Sequence, residues 1–169
     1  MRLRLGLALA RRLDVGVAFK TRAAYQEAAQ AAVRAGAMVG ATDQDALNRV
    51  RTMLVGENLN NISSVTIYDA TASGGIVAPM SATVPTSTTY MYDPTIGFVC
   101  NDTKLPPPCR SGWTQRNTTA QQGPLDTMGL EIDYTYRSVT GLLGPMSMKQ
   151  IATALLEPTT YGASLAPGP

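Results

Sequence analysis

The stretch Thr21–Ala37, TRAAYQEAAQAAVRAGA, decides how the rest of the chain is read. Alanine, glutamine, glutamate and arginine are strong helix formers, and no proline interrupts them. From Leu13 to about Val39 the only weak point is Gly16, and Gly36 and Gly40 mark the exit, so a helix is predicted over this span. At 1.5 Å per residue it would be about 40 Å long, more than a small domain needs to cross its own core. Part of it is therefore expected to project. Ala24, Ala28, Ala31, Ala32 and Ala35 form a smooth strip along it. Two readings stand: the strip lets another helix approach closely, as a candidate assembly surface, or it fills a tight helix-to-sheet contact within the chain's own body.

Working outward, 169 residues fit one domain, and 44% hydrophobic with 15% charged residues place the chain among globular proteins. The net charge of +2 is unevenly spread: Arg2, Arg4, Arg11, Arg12, Lys20 and Arg22 crowd the start, whereas Ile62–Val99 holds no lysine or arginine. That is not the profile of a nucleic-acid binder, and none is expected as a partner. The basic cluster suits a cytoplasmic or membrane-surface flank. There is no histidine, which removes the commonest general base and metal ligand. No enzyme activity, cofactor or metal is expected. Asp69, Asp93, Asp102, Asp126, Glu131 and Asp133 could pair as catalytic carboxylates, but the last two share the wet face of a predicted strand with no evident cleft, and solvation explains them better.

Cys100 and Cys109 enclose CNDTKLPPPC, polar and proline residues that form a surface loop more readily than a helix. A disulfide is the economical reading. Zinc would need further Cys or His ligands and thiol–disulfide catalysis a CxxC spacing, and the chain has neither. A disulfide implies an oxidising compartment.

Near the start, LGLALA is too short to span a bilayer, which takes about 20 apolar residues. Leu5, Leu9, Leu13 and Val17 recur at the spacing of an amphipathic helix. A second helix is predicted in ATDQDALNRVRTMLVG, capped at Thr42 or Asp43, lined by Ala46, Val50 and Leu54 and ended at Gly56. ISSVTIYDA alternates as a strand and ASGG stops it. The region Gly75–Gly123 is too long for one structureless connection, so short strands and the cysteine loop are expected within it, anchored by Trp113. MGLEIDYTY is the clearest strand, with Met128, Leu130, Ile132, Tyr134 and Tyr136 inward and Gly129, Glu131, Asp133 and Thr135 on a wet face. SMKQIATALLEP permits a helix, but a strand pairing with the one before it is better supported. The N-x-S/T triplets at Asn61, Asn101 and Asn117 indicate only polar loops.

With these pieces in place, the chain resembles the TadE/TadG-like minor pilins, or pseudopilins, of tight-adherence (Flp-type) pili. LDVGVAFKTRAAYQEAAQAAVRAGA is similar to the segment after the family's membrane anchor, with its acid–x–Gly step and alanine-rich run. SVTIYDATASGG is similar to the first strand and turn, and WTQR, DTMGLEIDYTYRSVTGLLG and ALLEP to the C-terminal half. The order of these stretches carries the likeness more than any one of them.

The resemblance implies an α+β, pilin-like fold: a long N-terminal α-helix packed on a small antiparallel β-sheet with a disulfide-closed loop. It implies a membrane-proximal helix over residues 1–40 and an extracytoplasmic α+β domain over 41–169. The partners it implies are other pilin subunits, the pilus assembly platform and the membrane, the last through an N-terminal anchor. LGLALA falls short of that anchor, so the expectation is a start downstream of the true N-terminus, the alternative being a member that has lost its anchor. The implied function is structural, in pilus assembly at the cell envelope. From a different class, a secreted or surface glycan-binding module would use Tyr90, Tyr92 and Trp113 as stacking platforms.

Overall fold

The computed structural model describes residues 2–78, 85–109, 112–113, 116–118, 124–141 and 144–158. The predicted tail YGASLAPGP lies outside them. The described elements run α1 (Arg2–Ala37), α2 (Asp43–Met53), α3 (Glu57–Asn60), β1 (Ile62–Asp69), β2 (Ser87–Asp93), β3 (Gly97–Cys100), β4 (Thr127–Tyr136) and β5 (Met146–Leu155). The strands form an antiparallel sheet in the order β3-β2-β1-β4-β5. The architecture is therefore α+β, with an N-terminal helix and a five-stranded antiparallel sheet.

Helix α1 is longer than its predicted span: its 36 residues run about 54 Å. It passes through Gly16 despite the roughly 1 kcal/mol that glycine costs inside a helix. It ends at Ala37, and Gly40, at φ +75°, takes the left-handed conformation that turns the chain toward α2. Thr42 precedes α2 in extended conformation, and the Asp45 carboxylate reaches back to accept the Thr42 N–H at 2.7 Å. Helix α2 stops at Met53 rather than Gly56. Gly56, at φ +61°, leads into the short α3.

The helices cover one face of the sheet. Tyr25, Ala28, Ala29, Ala32 and Val33 of α1 and Ala46, Leu47 and Val50 of α2 join Val65, Ile67, Leu130 and Ile132 in the core. Full burial of each large aliphatic side chain contributes about 1.5–3 kcal/mol. Tyr25 stacks on Tyr134 with ring centroids 3.6 Å apart and planes 12° from parallel. The order of contacts orients the helix. The Cβ that Gly36 lacks would fall against Met128, Tyr25 meets Tyr134, and Asp14 meets the segment after Tyr136. Helix α1 is thus antiparallel to β4 and continues past the end of that strand toward Arg2.

Strand β4 buries the five predicted residues, Met128 to Tyr136. Its other face is not uniformly wet, however. Gly129 is buried because the Tyr68 ring of β1 lies directly over it, and a Cβ there would come within 2.3 Å of that ring. A register shift between Ile62 and Ser64 breaks the parity of β1, so that Ile62 and Val65 both reach the core. The last element is a strand: β5 pairs through all ten residues, Met146–Leu155, with β4.

Candidate functional site

The five alanines of the predicted strip do not share one environment. Ala28 and Ala32 are at 0% exposure, packed into the chain's own core. Ala24, Ala31 and Ala35 are half-buried. Ala35 lines an open groove with Asp45, Asn48, Arg49 and Thr52 of α2. A docking partner could reach only these three.

Toward the N-terminus, large apolar side chains of α1 face solvent: Leu13 is 57%, Val15 50% and Phe19 67% exposed. Val15 and Phe19 are four residues apart and share one flank. No helix among the described residues is long and apolar enough to cross a membrane.

Between these residues sits Asp14, at 0% exposure. Its carboxylate accepts hydrogen bonds from the Ser138 hydroxyl (2.8 Å), the Thr140 N–H (3.1 Å) and the Thr140 hydroxyl, and its main-chain carbonyl accepts the Tyr136 phenol (3.1 Å). The Thr140 hydroxyl, with help from Ser138 and the local backbone, lowers the Asp14 pKa against the opposing effect of burial. The arrangement holds α1 to the segment that leaves β4. The acid–x–Gly step marks Asp14 in the sequence, but its partners lie 122 to 126 residues away, where no local pattern points to them.

A second cluster forms where the start of α2 meets the cysteine loop. Asp43 accepts the Tyr90 phenol and pairs with the Arg116 guanidinium, which sits 4.7 Å from the centre of the Trp113 ring. Burial, reinforced by the Asp43 charge, raises the Tyr90 pKa and keeps the phenol a donor. These residues line a cavity of about 360 Å³ with Thr42, Pro107 and Pro108. Tyr90 and Trp113 thus come together, whereas Tyr92 packs edge-on against Phe98, ring centroids 5.3 Å apart. Trp113 is only 4% exposed, so its ring serves as an anchor under the loop and offers no open stacking face. The sequence marks Asp43 only as a possible helix cap and Arg116 only as the end of WTQR, and nothing local shows that they meet, because their meeting depends on the loop's path.

Cys100 and Cys109 are joined in a disulfide, Cα atoms 5.5 Å apart. The Asp102 carboxylate is near both sulfurs, but the sulfurs are bonded to each other and are not metal-ligating thiolates.

The carboxylates weighed as catalytic pairs fall into separate places: Glu131 and Asp133 share a lysine, Asp69 lies near Asp126, and Asp93 sits in a turn of its own. Lys149 lies 2.7 Å from Glu131 and 4.0 Å from Asp133 on the sheet's outer face. Asp93 accepts the N–H groups of Thr95 and Ile96 in a turn, and Asp126 accepts that of Asn117 at 2.7 Å. Burial, with the Asp126 charge behind it, raises the Asp69 pKa.

No protein-family model, curated protein or solved structure matches the chain. The functional reading therefore rests on residues and geometry.

Proposed function

We propose that this chain is an accessory subunit, a minor pilin of the TadE/TadG-like kind, acting in assembly of a tight-adherence, type IV-like pilus at the cell envelope. Its partners are other pilin subunits and the assembly platform, and its N-terminal helix faces the membrane. The observation that carries this reading is the division of α1. Its C-terminal part is packed into the domain from Tyr25 to Ala37, and Asp14 ties it again to the segment after β4, while around that tie Leu13, Val15 and Phe19 turn large apolar side chains to solvent. Apolar side chains on a continuous rod suit burial among sibling helices or lipid, where helices associate by close packing. The disulfide supports placement outside the cytoplasm. Residues 41–169 form the extracytoplasmic part in this proposal, and Ala24, Ala31 and Ala35 the accessible part of the assembly surface.

The test is an in-frame deletion in the producing cell, with surface fibres counted by electron microscopy. Fewer fibres, restored by the wild-type gene and not by Phe19→Glu, is the expected result. Undiminished fibre number and surface attachment would overturn the proposal.

A further inference from the structure

We propose that the outer edge of β5 is a self-complementary interface through which two copies of this chain pair antiparallel, strand against strand. The sheet order leaves β5 at one end, and among the described residues no strand pairs with its outer side. Its ten residues are in unbroken register with β4, so the edge is long and regular, a ready template for another strand. The opposite edge, β3, has four residues and ends in the disulfide at Cys100.

Edge strands commonly carry a lysine that discourages pairing. Here that lysine is turned back. Lys149 binds Glu131 at 2.7 Å and approaches Asp133 at 4.0 Å, both on its own neighbour β4, so its charge is matched within the chain. Burial alternates along the strand. Gln150 and Ala152 lie beneath the helices, while Ser147, Lys149, Ile151, Thr153 and Leu155 face outward, with Ile151 and Leu155 well exposed.

The outward residues select the partner and the register. Pairing centred on Ile151 sets Ile151 opposite the copy's Ile151, Lys149 opposite Thr153 and Ser147 opposite Leu155. Apolar contact then falls at the centre, and no like charges face each other. The two lysines sit four residues apart along the seam, about 13 Å, beyond the screening length of about 8 Å at physiological salt. Registers that keep each face on its own side differ by slides of two residues, which move the centre by one. A centre at Gln150 would bring the two lysines within two residues of each other, about 7 Å and inside the screening length, and a centre at Ala152 would shorten the paired strand to Lys149–Leu155. A centre at Lys149 would oppose the two ammonium groups. A centre at Thr153 would leave only Ile151–Leu155 of the strand paired. The Ile151 register combines long overlap with matched charge, which is why a second copy is the occupant proposed.

The test uses the full chain in mild detergent, which shields the exposed side chains of α1. Both native cysteines are already paired, so an added cysteine reports on its own. Ile151→Cys is expected to form a covalent dimer on gentle oxidation, because directly opposed residues lie within disulfide reach. Lys149→Cys and Thr153→Cys are each expected to stay uncrosslinked alone and to join when mixed. In sedimentation, Ile151→Lys should raise the dimer dissociation constant roughly tenfold or more by placing like charges at the centre. Phe19→Glu should leave it unchanged. Unchanged thermal melting of each variant would show that the fold is retained. A wild-type chain that is monomeric at every concentration, a dimer that survives Ile151→Lys, or efficient crosslinking by Thr153→Cys alone would overturn the proposal. Loss of the dimer in Phe19→Glu would assign association to α1 instead. Pairing through β5 does not depend on the pilus reading, and the two can fail separately.

Discussion

The phenol of Tyr136 donates to the main-chain carbonyl of Asp14 at 3.1 Å, joining the last residue of β4 to the middle of the long helix. Beside it the Asp14 carboxylate takes up the hydroxyls of Ser138 and Thr140. Helix α1 is therefore held at a polar point beyond its alanine-packed section, and that attachment depends on a charge.

The Asp14 pKa lies below its ordinary value of 3.8, chiefly through the Thr140 hydroxyl. A carboxylate depressed in the folded state contributes stability that is present above its unfolded pKa and lost as pH falls through the folded one. Asp14→Asn should therefore melt earlier than wild type at neutral pH, with the gap closing below about pH 4. Thermal melting of both proteins across the acid range checks this. A gap that stays constant into strong acid would show that the carboxylate's charge is not what matters.

The contact of Tyr68 with Gly129 makes a sharper packing prediction. The phenol is tethered to the Gly74 carbonyl at 2.9 Å, so the ring cannot swing away freely when a methyl group is added beneath it. Gly129→Ala is expected to destabilise the chain by about 1–3 kcal/mol, the usual cost of overpacking. Tyr68→Ala should remove most of that penalty in the double variant, since the two side chains then no longer compete for one space. Urea unfolding of the two single variants and the double variant measures it.

Much of the fold was legible because its signals are local. Unbroken helix formers marked α1, alternation from Met128 to Tyr136 marked β4, and a proline-rich interval between two cysteines marked the disulfide. What escaped depends on pairs distant in sequence. Nothing near Gly129 foretells that Tyr68 will cover it, and the shift between Ile62 and Ser64 defeats a strict two-residue period. The site was less legible for the same reason. Asp43 and Arg116 meet across 73 residues, and the alanine strip could not be divided into core and accessible parts until α2 and the sheet were placed.

The disulfide closes a loop with a sequence separation of 9. Chain entropy alone gives about 2.5–3 kcal/mol for such a loop. Replacing both cysteines by serine should cost about that much in urea unfolding. The loss should be accompanied by faster hydrogen exchange in β3, whose last residue is Cys100. A variant as stable as the wild type would mean that the loop is already ordered without the bond.

Arg116 makes the last prediction, because one side chain serves two partners. Its guanidinium pairs with Asp43 and covers the face of Trp113, the only tryptophan in the chain, so emission from that ring reports the contact directly. Arg116→Ala removes both interactions and leaves a mostly buried Asp43 with the Tyr90 phenol as its remaining side-chain partner among the described residues. A loss of about 1–3 kcal/mol is expected, below the cost of breaking a fully buried pair because Arg116 and Asp43 retain side-chain exposures of 15% and 16%. Trp113 emission should shift to the red as water reaches the ring. Arg116→Lys keeps the charge but not the flat, weakly hydrated group that stacks on an aromatic face. It should recover part of the stability while the emission stays shifted. Unaltered emission in both variants would show that the guanidinium does not shield Trp113 in solution.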